Sequence, residues 1–467
     1  DDGDYVGFDA VIGNPPYIQL QKAYNDTMKY ADLYKNMNYE TFDRTGDIYC
    51  LFYERGIQIA KDNGILCYIS SNKWMRAGYG EKLRNFFLKY NPLLLLDLGP
   101  GIFESATVDT CIMMLQKSKI KDKYSLKAVT ITKERNLPLD IDEQVKGKSV
   151  TLSKLTKDAW FIGSEAEQKL KEKIEHLGKP LKDWDVKIYY GIKTGLNEAF
   201  IIDNTKRQEI LDNCKDEDER RRTENIIKPI LRGRDIKRYY YEWAGLWVIF
   251  IPWHFPLHND ASIQGASEKA ENEFIKQYPS VYNHLLQYKE SLSKRNKEET
   301  GIRYEWYALQ RCAATYYPEF EKEKVVWNRI TNEVIYSFID KKFFVLDSTF
   351  FITGTNLKYL IALLNSKIIL VWMKHNLATL GEGMYGAKIY VEKIPLPPIT
   401  TSNQPIVTQI ESLVDQILTA KKHTSAGSVT NPQADTSHWE REIDQLVYRL
   451  YDLTGEEIGI IEGGKNE

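Results

Sequence analysis

The sequence predicts an α/β protein. An incomplete doubly wound, Rossmann-like sheet comes first, then an α+β region, then a helical C-terminal tail. Three observations predict this. Apolar runs alternate with amphipathic stretches up to about residue 120, the pattern of strands covered by helices. From about 181 to 400 the texture changes to short strands, many aromatics and clusters of Lys and Arg. Beyond 400 the apolar spacing is helical, around a Ser/Thr/Asn-rich break at 424–437. The expected division is 1–120, a connector at 121–180, 181–400, and 401–467.

The elements follow in order. Residues 5–13 (YVGFDAVIG) are a short apolar run ending in Gly, read as a buried strand. NPPY follows, and a Pro-Pro pair cannot continue a sheet ladder, so the chain leaves the sheet there. Residues 47–61 have helical spacing with Asp47 as N-cap, and Asn63-Gly64 ends that helix. ILCYIS is a second strand. GEKLRNFFLKY is a second helix, stopped by Asn91-Pro92. LLLLDLG and TCIMMLQK are the third and fourth strands. SEAEQKLKEKIEHLG at 164–178 is an exposed helix with a capping Ser and a terminal Gly. IPLPPI at 394–399 closes the α+β region like a latch.

Composition narrows the classes. A chain of 467 residues has room for two to four domains. No run reaches the roughly 18 apolar residues of a membrane span. The acidic start DDGDYVGFDA is no signal peptide, and it begins with Asp rather than Met, so an excised or processed chain is expected. Lys and Arg total 63 against 65 Asp and Glu, a net charge of -2. That balance argues against nucleic acid, unless charge is sorted by face. Five widely spaced cysteines (Cys50, Cys67, Cys111, Cys214, Cys312) without a C-x-x-C argue against a disulfide framework or zinc and fit a reducing cytoplasm. His254 and His258 lie four apart, but Pro256 between them breaks the helix that a metal pair needs. No metal is expected.

NPPY after a strand suits methyl transfer to an exocyclic amine such as adenine N6. That nitrogen is a weak nucleophile because its lone pair is delocalised into the ring. Acceptors on its two N–H bonds favour the pyramidal geometry that frees the lone pair. Asn14 offers a side-chain carbonyl and Pro15 a backbone one. Pro15 and Pro16 stiffen the backbone, so little ordering is needed when substrate arrives. Tyr17 offers a flat face to a base turned out of a duplex. As four letters, Asn-Pro-Pro-Tyr is equally a loop; the strand before it and the βα pattern after it favour chemistry.

FDAVIGNPPYIQL resembles motif IV of the amino-group DNA methyltransferases, adenine-N6 branch. GDIYCLFYERGIQIAKDNGILCYISSNKWMRAGYGEKLRNFF is similar to the stretch after motif IV in the TaqI-like enzymes, and GIFESATVDTCIMML to a later segment in which a Phe packs on the flipped adenine. The resemblance makes Phe103 that residue, and Asn72, Lys73 and Trp74 candidates to line the same pocket. GIKTGLNEAFIID, IIKPILRGRDIKRY, VLDSTFFI with LKYLIALLNSKIILVWMK, and VEKIPLPPI resemble, in order, the TaqI-like target-recognition domain. The resemblance covers most of 5–400. It implies a methyltransferase domain from motif IV onward, and double-stranded DNA as partner. It also implies S-adenosylmethionine as cofactor and a type IIG-like restriction–modification setting.

The local chemistry of the second region agrees. Lys228, Arg232, Arg234, Lys237 and Arg238 fall within eleven residues against one acid, Asp235. Arg can read guanine bidentately or pair with phosphate. Tyr239 to Tyr241 flank that run. GIKTG, with Lys193 between Gly191 and Gly195, offers close backbone approach to a phosphate, or a plain hairpin turn. A solvated charged face and a solvated helix at 289–299 are the alternatives for these charges.

In the family that this sequence resembles, a Gly-rich cofactor motif precedes NPPY, whereas this chain begins about ten residues before it. GPG at 99–101 is no substitute, because Pro100 lacks the needed N–H. The expectation is that an upstream half supplies most of the cofactor site; large relatives in the resembled family also carry an N-terminal nuclease domain, which the resemblance places upstream here too. Two other functions remain open: a DNA-binding specificity module without catalysis, and methyl transfer to RNA or a protein amide. The large region 181–400 speaks against the last.

Overall fold

The computed structural model describes residues 6–24, 28–99, 101–103, 108–120, 124–131, 140–295, 304–311, 314–331, 333–377, 379–380, 383–421 and 434–463. Pro100, Cys312, residues 104–107 of ESATVD, 296–299 of the charged 289–299 stretch, and 424–433 of the polar break lie outside the described residues. The chain forms two compact units. One comprises Asp1–His176, Val371–Tyr385 and Thr454–Glu467, the other Leu177–Leu370 and Gly386–Leu453.

The first unit is built on a sheet of order β1-β2-β4-β3-β5-β6. Its strands are β1 (Phe8–Gly13), β2 (Ala60–Ser71), β3 (Tyr90–Gly99), β4 (Thr110–Lys119), β5 (Leu126–Thr130) and β6 (Val150–Leu152). Its helices include α1 (Tyr30–Tyr34), α2 (Tyr49–Ile59), α3 (Gly80–Phe87), α4 (Ile141–Lys148) and α5 (Glu165–Leu177). β1 runs parallel to β2 and β3 parallel to β5, while β4 is antiparallel to both β2 and β3. The reversal follows from chain length: ten residues separate β3 from β4, too few for a crossover helix.

Three boundaries differ from the sequence expectation. Asp47 does not cap α2; the cap position is Ile48 with no side-chain bond, because the Asp47 carboxylate accepts from Tyr79 instead. Asn63-Gly64 does not end α2, which stops at Ile59. It forms a turn inside β2, where Asn63 takes φ 62° and the register on β1 slips between Phe8 and Ala10. Asn91-Pro92 does not stop α3, which ends at Phe87. It lies within β3, at the register shifts that a residue without N–H forces on the ladder. The capping Ser of α5 is observed: Ser164 Oγ accepts from Glu167 N, and Glu167 reaches back to Ser164 N.

The core of this unit is aromatic. Trp74 meets Phe87 and Trp160 edge-on, with ring centroids 5.0 and 5.3 Å apart. Arg84 is buried beneath them and donates to Ala77 O at 3.1 Å and Lys157 O at 2.7 Å, and also to Trp74 O. The turn at Trp74 then leaves no room for a side chain at Gly80, whose Cβ would stand 2.0 Å from Trp74 O.

The second unit mixes sheets and helices. One sheet has order β15-β10-β11-β9 and another β14-β12-β16-β8. Its strands are β7 (Lys179–Pro180), β8 (Val186–Tyr190), β9 (Ile201–Ile202), β10 (Ile227–Leu231) and β11 (Trp247–Ile249). They continue with β12 (Lys324–Asn328), β13 (Ile330–Thr331), β14 (Tyr336–Ile339), β15 (Phe344–Val345) and β16 (Thr349–Gly354). Pro395–Leu396 pairs with β7 and forms the latch read from the sequence. Helices Gln404–Lys421 and Ser437–Leu450 follow.

Lys324 on β12 is fully buried, and its ammonium donates to Asp340 O at 3.2 Å and Phe343 O at 3.0 Å. Burial pushes its pKa from 10.5 down to about 7. Between those two values the unfolded chain holds a proton that the folded chain has released. Stability therefore rises with pH from about 7 to about 10.5, by at most about 1.4 kcal/mol per pH unit. Lys324→Met removes this titration. Thermal unfolding followed by circular dichroism at pH 7 to 9.5 should show the wild-type melting temperature gaining on the variant's. A constant gap would mean that the ammonium stays charged on its two carbonyls.

Candidate functional site

The register brings several chain segments to one edge of the first sheet. Gly13 pairs with Tyr68 on β2, Ser71 with Thr110 on β4, and Gly99 on β3 with Thr110. The carboxyl ends of β1, β2 and β3 therefore meet the start of β4, the edge where doubly wound sheets hold ligands. Asn14–Tyr17, the turn Asn72–Met75 and residues 101–103 all emerge there.

Asn14 and Pro16 are exposed, Pro15 is buried and Tyr17 is half-buried. The Tyr17 hydroxyl donates to Asn14 Oδ1 at 2.9 Å, and the Tyr17 ring stands edge-on to Tyr49, with centroids 6.4 Å apart. Partial burial, with a smaller contribution from Cys111, raises the Tyr17 pKa, so its hydroxyl stays protonated and donates. Leaving the sheet at Pro15-Pro16, the chain runs back along 46–48: Ile48 N donates to Ile18 O and Leu20 N to Gly46 O. That return places Asp47 beside Tyr79, which is hydrogen-bonded to Tyr49.

A buried polar network thus lies at the Tyr17–Tyr49 contact. Tyr49 and Tyr79 hydroxyls are 2.7 Å apart, and Tyr79 donates to Asp47 Oδ2 at 3.3 Å. Burial raises the Asp47 pKa, opposed by the Tyr79 bond and by the charges of Lys73 and Lys22. Nearby, Asn72 donates to Asp97 Oδ1 at 2.8 Å, which also receives Gly99 N. Trp74 is buried in the core, with Nε1 on Cys111 Sγ, so it supports the edge from beneath rather than facing it. Cys111 is no nucleophile: burial pushes its thiol up to about 12. Phe103 is half-buried at the same edge. The sequence offers Asp47 only as a helix cap, and Tyr49, Tyr79 and Asp97 not at all. The signal available is an acid at a strand end and two Tyr, which no spacing distinguishes from core.

In the second unit the basic residues have different surroundings. Lys228 pairs with Glu321 at 3.4 Å. Arg232 grips Asp235 bidentately, at 3.0 and 2.8 Å. Lys237 lies on Arg234 O and Glu242. Arg238 is held by Glu440 Oε2 and Asn365 O, both at 2.6 Å. Arg234 is exposed. Tyr239 and Tyr241 are core residues rather than surface flanks. Lys193 is half-buried and bridges backbone-to-backbone with Arg311, whose guanidinium lies 5.4 Å from the exposed Tyr190 ring. The GIKTG glycines approach their own chain: a Cβ at Gly191 would meet Leu346 O at 2.0 Å, and one at Gly195 would meet Arg295 Cδ at 2.5 Å.

Residues 2–101 match the Eco57I restriction-modification methylase family, and residues 228–396 match the TaqI-like C-terminal specificity domain. The chain carries a restriction-modification methylase domain and a TaqI-like specificity domain. It is 30% identical to the type II restriction enzyme and methyltransferase RM.Eco57I of Escherichia coli over 43% of this chain and 20% of that one. With the type II methyltransferase M.BstVI of Geobacillus stearothermophilus it shares 23% identity over 99% of this chain and 76% of the relative. Its fold is similar to that of the type IIL restriction-modification enzyme MmeI, solved with DNA: TM-score 0.60 at 14% identity, over 97% of this chain and 56% of that one. The chain thus spans a fifth of the first relative and little more than half of the solved enzyme.

The methylase match contains the whole NPPY edge up to residue 101, and Phe103 lies just past it. The specificity domain match begins at Lys228, so Lys193 lies before it. Within the specificity domain, Arg238 is set as a structural cation. Burial opposes its charge, but the neighbouring Tyr239, Glu440 and Asp444 keep its pKa raised. Arg238→Ala should lower stability by about 2–4 kcal/mol, by stranding the Glu440 carboxylate and the Asn365 carbonyl. Arg234→Ala should leave the melting transition unchanged. Denaturant unfolding of both variants checks the contrast.

Proposed function

We propose that this chain is the catalytic and recognition part of a site-specific DNA adenine-N6 methyltransferase of a type II restriction–modification system. It moves methyl from S-adenosylmethionine to an adenine turned out of the duplex. The observation that carries the reading is the Tyr17 hydroxyl on Asn14 Oδ1, 2.9 Å away at an open sheet edge. Asn14 presents an acceptor that in the resting site is met by an O–H donor. An adenine amine brings N–H donors of the same kind. As the base enters, its amine takes the place of the Tyr17 hydroxyl on Asn14 Oδ1 and gives its second N–H to the Pro15 carbonyl. Both acceptors draw the nitrogen toward pyramidal geometry and free its lone pair; methylation would then break the donor's C–S bond, leave a neutral thioether, and release one N–H proton to solvent along the Asn14 or Pro15 hydrogen bond. Tyr17 and Phe103 stack on the extruded ring.

Bound S-adenosylmethionine supplies a methyl on a cationic sulfur, a group activated enough that no base need act first. The residues of this chain fit the acceptor side of the transfer. Most of the donor's cradle is assigned to an upstream segment that adds a strand to β1. Among the described residues β1 pairs only with β2, and Val6, Phe8 and Ile12 beside and on it are 84%, 53% and 80% exposed. Such an apolar strand edge fits a missing neighbour. A nuclease domain upstream and a cytoplasmic setting accompany the restriction–modification reading. Among the described residues no helix is long and apolar enough to cross a membrane. Double-stranded DNA is the proposed partner. Lys193, Lys228, Arg232, Arg234, Lys237 and Arg238 are retained as candidate DNA contacts; Arg234 is the one whose exposure best supports that role.

The chain alone is expected to bind the cofactor poorly and to leave DNA unmethylated. The polypeptide with its upstream segment is expected to form N6-methyladenine. In that longer protein Asn14→Ala should cut methylation about a hundredfold or more, and Tyr17→Phe, which keeps the ring, by less than about tenfold. Mass spectrometry of nucleosides from treated DNA reads both. Persistent methylation by the Asn14→Ala variant would leave a DNA-binding specificity module as the remaining reading for this half.

A further inference from the structure

Several loops of the second unit end at one edge of its sheets. β8 and β12 finish there, and β16 starts there, with Tyr190 opposite Phe350 and Asn328 opposite Thr349. β10 and β15 run parallel and finish together at Leu231 and Val345. Ser348, in the short link from β15 to β16, ties two of these loops. Its Oγ accepts from Gly233 N at 3.1 Å and its carbonyl accepts from Arg329 N at 2.9 Å. Arg329 O in turn accepts from Gly386 N at 3.0 Å. The backbone at Gly233–Arg234 and at Arg329 is therefore fixed against one residue. Gly233 fits because it has no side chain: a Cβ there would stand 2.8 Å from Asn328 Oδ1, an atom itself buried without a hydrogen-bond partner.

The side chains carried by this clamp point to a use. Arg329 and Arg234 are exposed, and Ile330 is an exposed apolar residue next to Arg329. The one acid in the 228–238 run, Asp235, is occupied by Arg232. A rigid backbone bearing two exposed arginine residues and an apolar neighbour is the composition that reads base edges. Arg makes a bidentate pair with guanine O6 and N7, and an apolar side chain meets a thymine methyl. A merely electrostatic contact to phosphate needs neither the clamp nor Ile330.

We infer that the edge organised by Ser348 reads bases in the major groove, with Arg329 and Arg234 as guanine-recognising residues and Ile330 as an apolar contact. Arg329 was not among the candidates visible in the sequence, because it stands alone in VVWNRIT. This inference rests on the DNA-recognition part of the proposed function and deepens it to named residues. It does not require catalysis.

The test is selection of bound duplexes from a randomised DNA pool by the purified chain, followed by sequencing. The wild type should enrich a defined sequence. Arg329→Gln should lose the guanine preference at one position, by about ten- to a hundredfold, with the rest of the sequence retained. Arg234→Gln should relax a different position. The melting transition of each variant is measured alongside and serves as the check on folding. An unchanged enriched sequence in the double variant would overturn the inference. So would a uniform loss of affinity for all sequences with a shallower salt dependence, the signature of phosphate contacts, or a wild type that enriches nothing. Binding is what is read. A chain that selects a sequence but belongs to no methylating protein would refute the catalytic reading and leave this one standing.

Discussion

The parallel pairing of β1 with β2, from Phe8 opposite Ala60 to Gly13 opposite Tyr68, decides where the NPPY turn emerges. Parallel strands put their carboxyl ends on the same side, so Asn14 comes out beside Ser71 and the turn that follows it. The antiparallel β4 then returns to Thr110 at that same side. Had β1 slipped by one residue, its side chains would have exchanged faces and Tyr17 would have lost Tyr49. The turn Asn63-Gly64 absorbs the mismatch between the two strands, so the register error is taken up far from the site.

Around that pairing the molecule is closely packed beneath the NPPY edge and open along β1. The rings of Trp74, Phe87 and Trp160 fill the space under the edge, and Arg84 ties three backbone carbonyls within it. Buried aromatic pairs add about 0.5–1.5 kcal/mol each beyond their area. Tyr49, Tyr79 and Asp47 continue that support to the side where the NPPY turn emerges. Such backing holds Tyr17 in one pose before any ligand arrives, which is how a site avoids ordering costs at the moment of binding.

Much of this was legible in the sequence. The four strands and two helices of the first stretch announce themselves through apolar runs and helical spacing, and NPPY stands at a strand end because Pro-Pro cannot pair. The strand expected to be buried at 5–13 forms, but with no buried residue. Two boundary errors share an origin: Asn-Gly and Asn-Pro look like stops for the helices before them, yet α2 and α3 end earlier and both pairs sit in strands as irregularities. Local turn chemistry gives the bend but not the element that contains it. The basic run 228–238 shows a second limit. Spacing cannot tell Arg238, held by Glu440 two hundred residues away, from Arg234, which faces solvent. Nor could it find Arg329, whose position depends on Ser348. Long-range pairing leaves no trace in a local pattern. For the same reason the net charge of -2 says little about DNA, since most cations of the run have acids of their own.

The open flank of β1 bears on how the protein behaves at high concentration. Among the described residues β1 pairs only with β2, and a strand edge with Val6, Phe8 and Ile12 exposed is a template for its own kind. Two copies brought edge to edge would satisfy each other's ladders. The Asp9–Lys61 ion pair beside it is a weak guard, since the Asp9 side chain is largely in water and salt screens the pair. Dilution, moderate rather than high salt, and a segment covering that flank favour the monomer, so colloidal stability becomes a property of β1 rather than of the core.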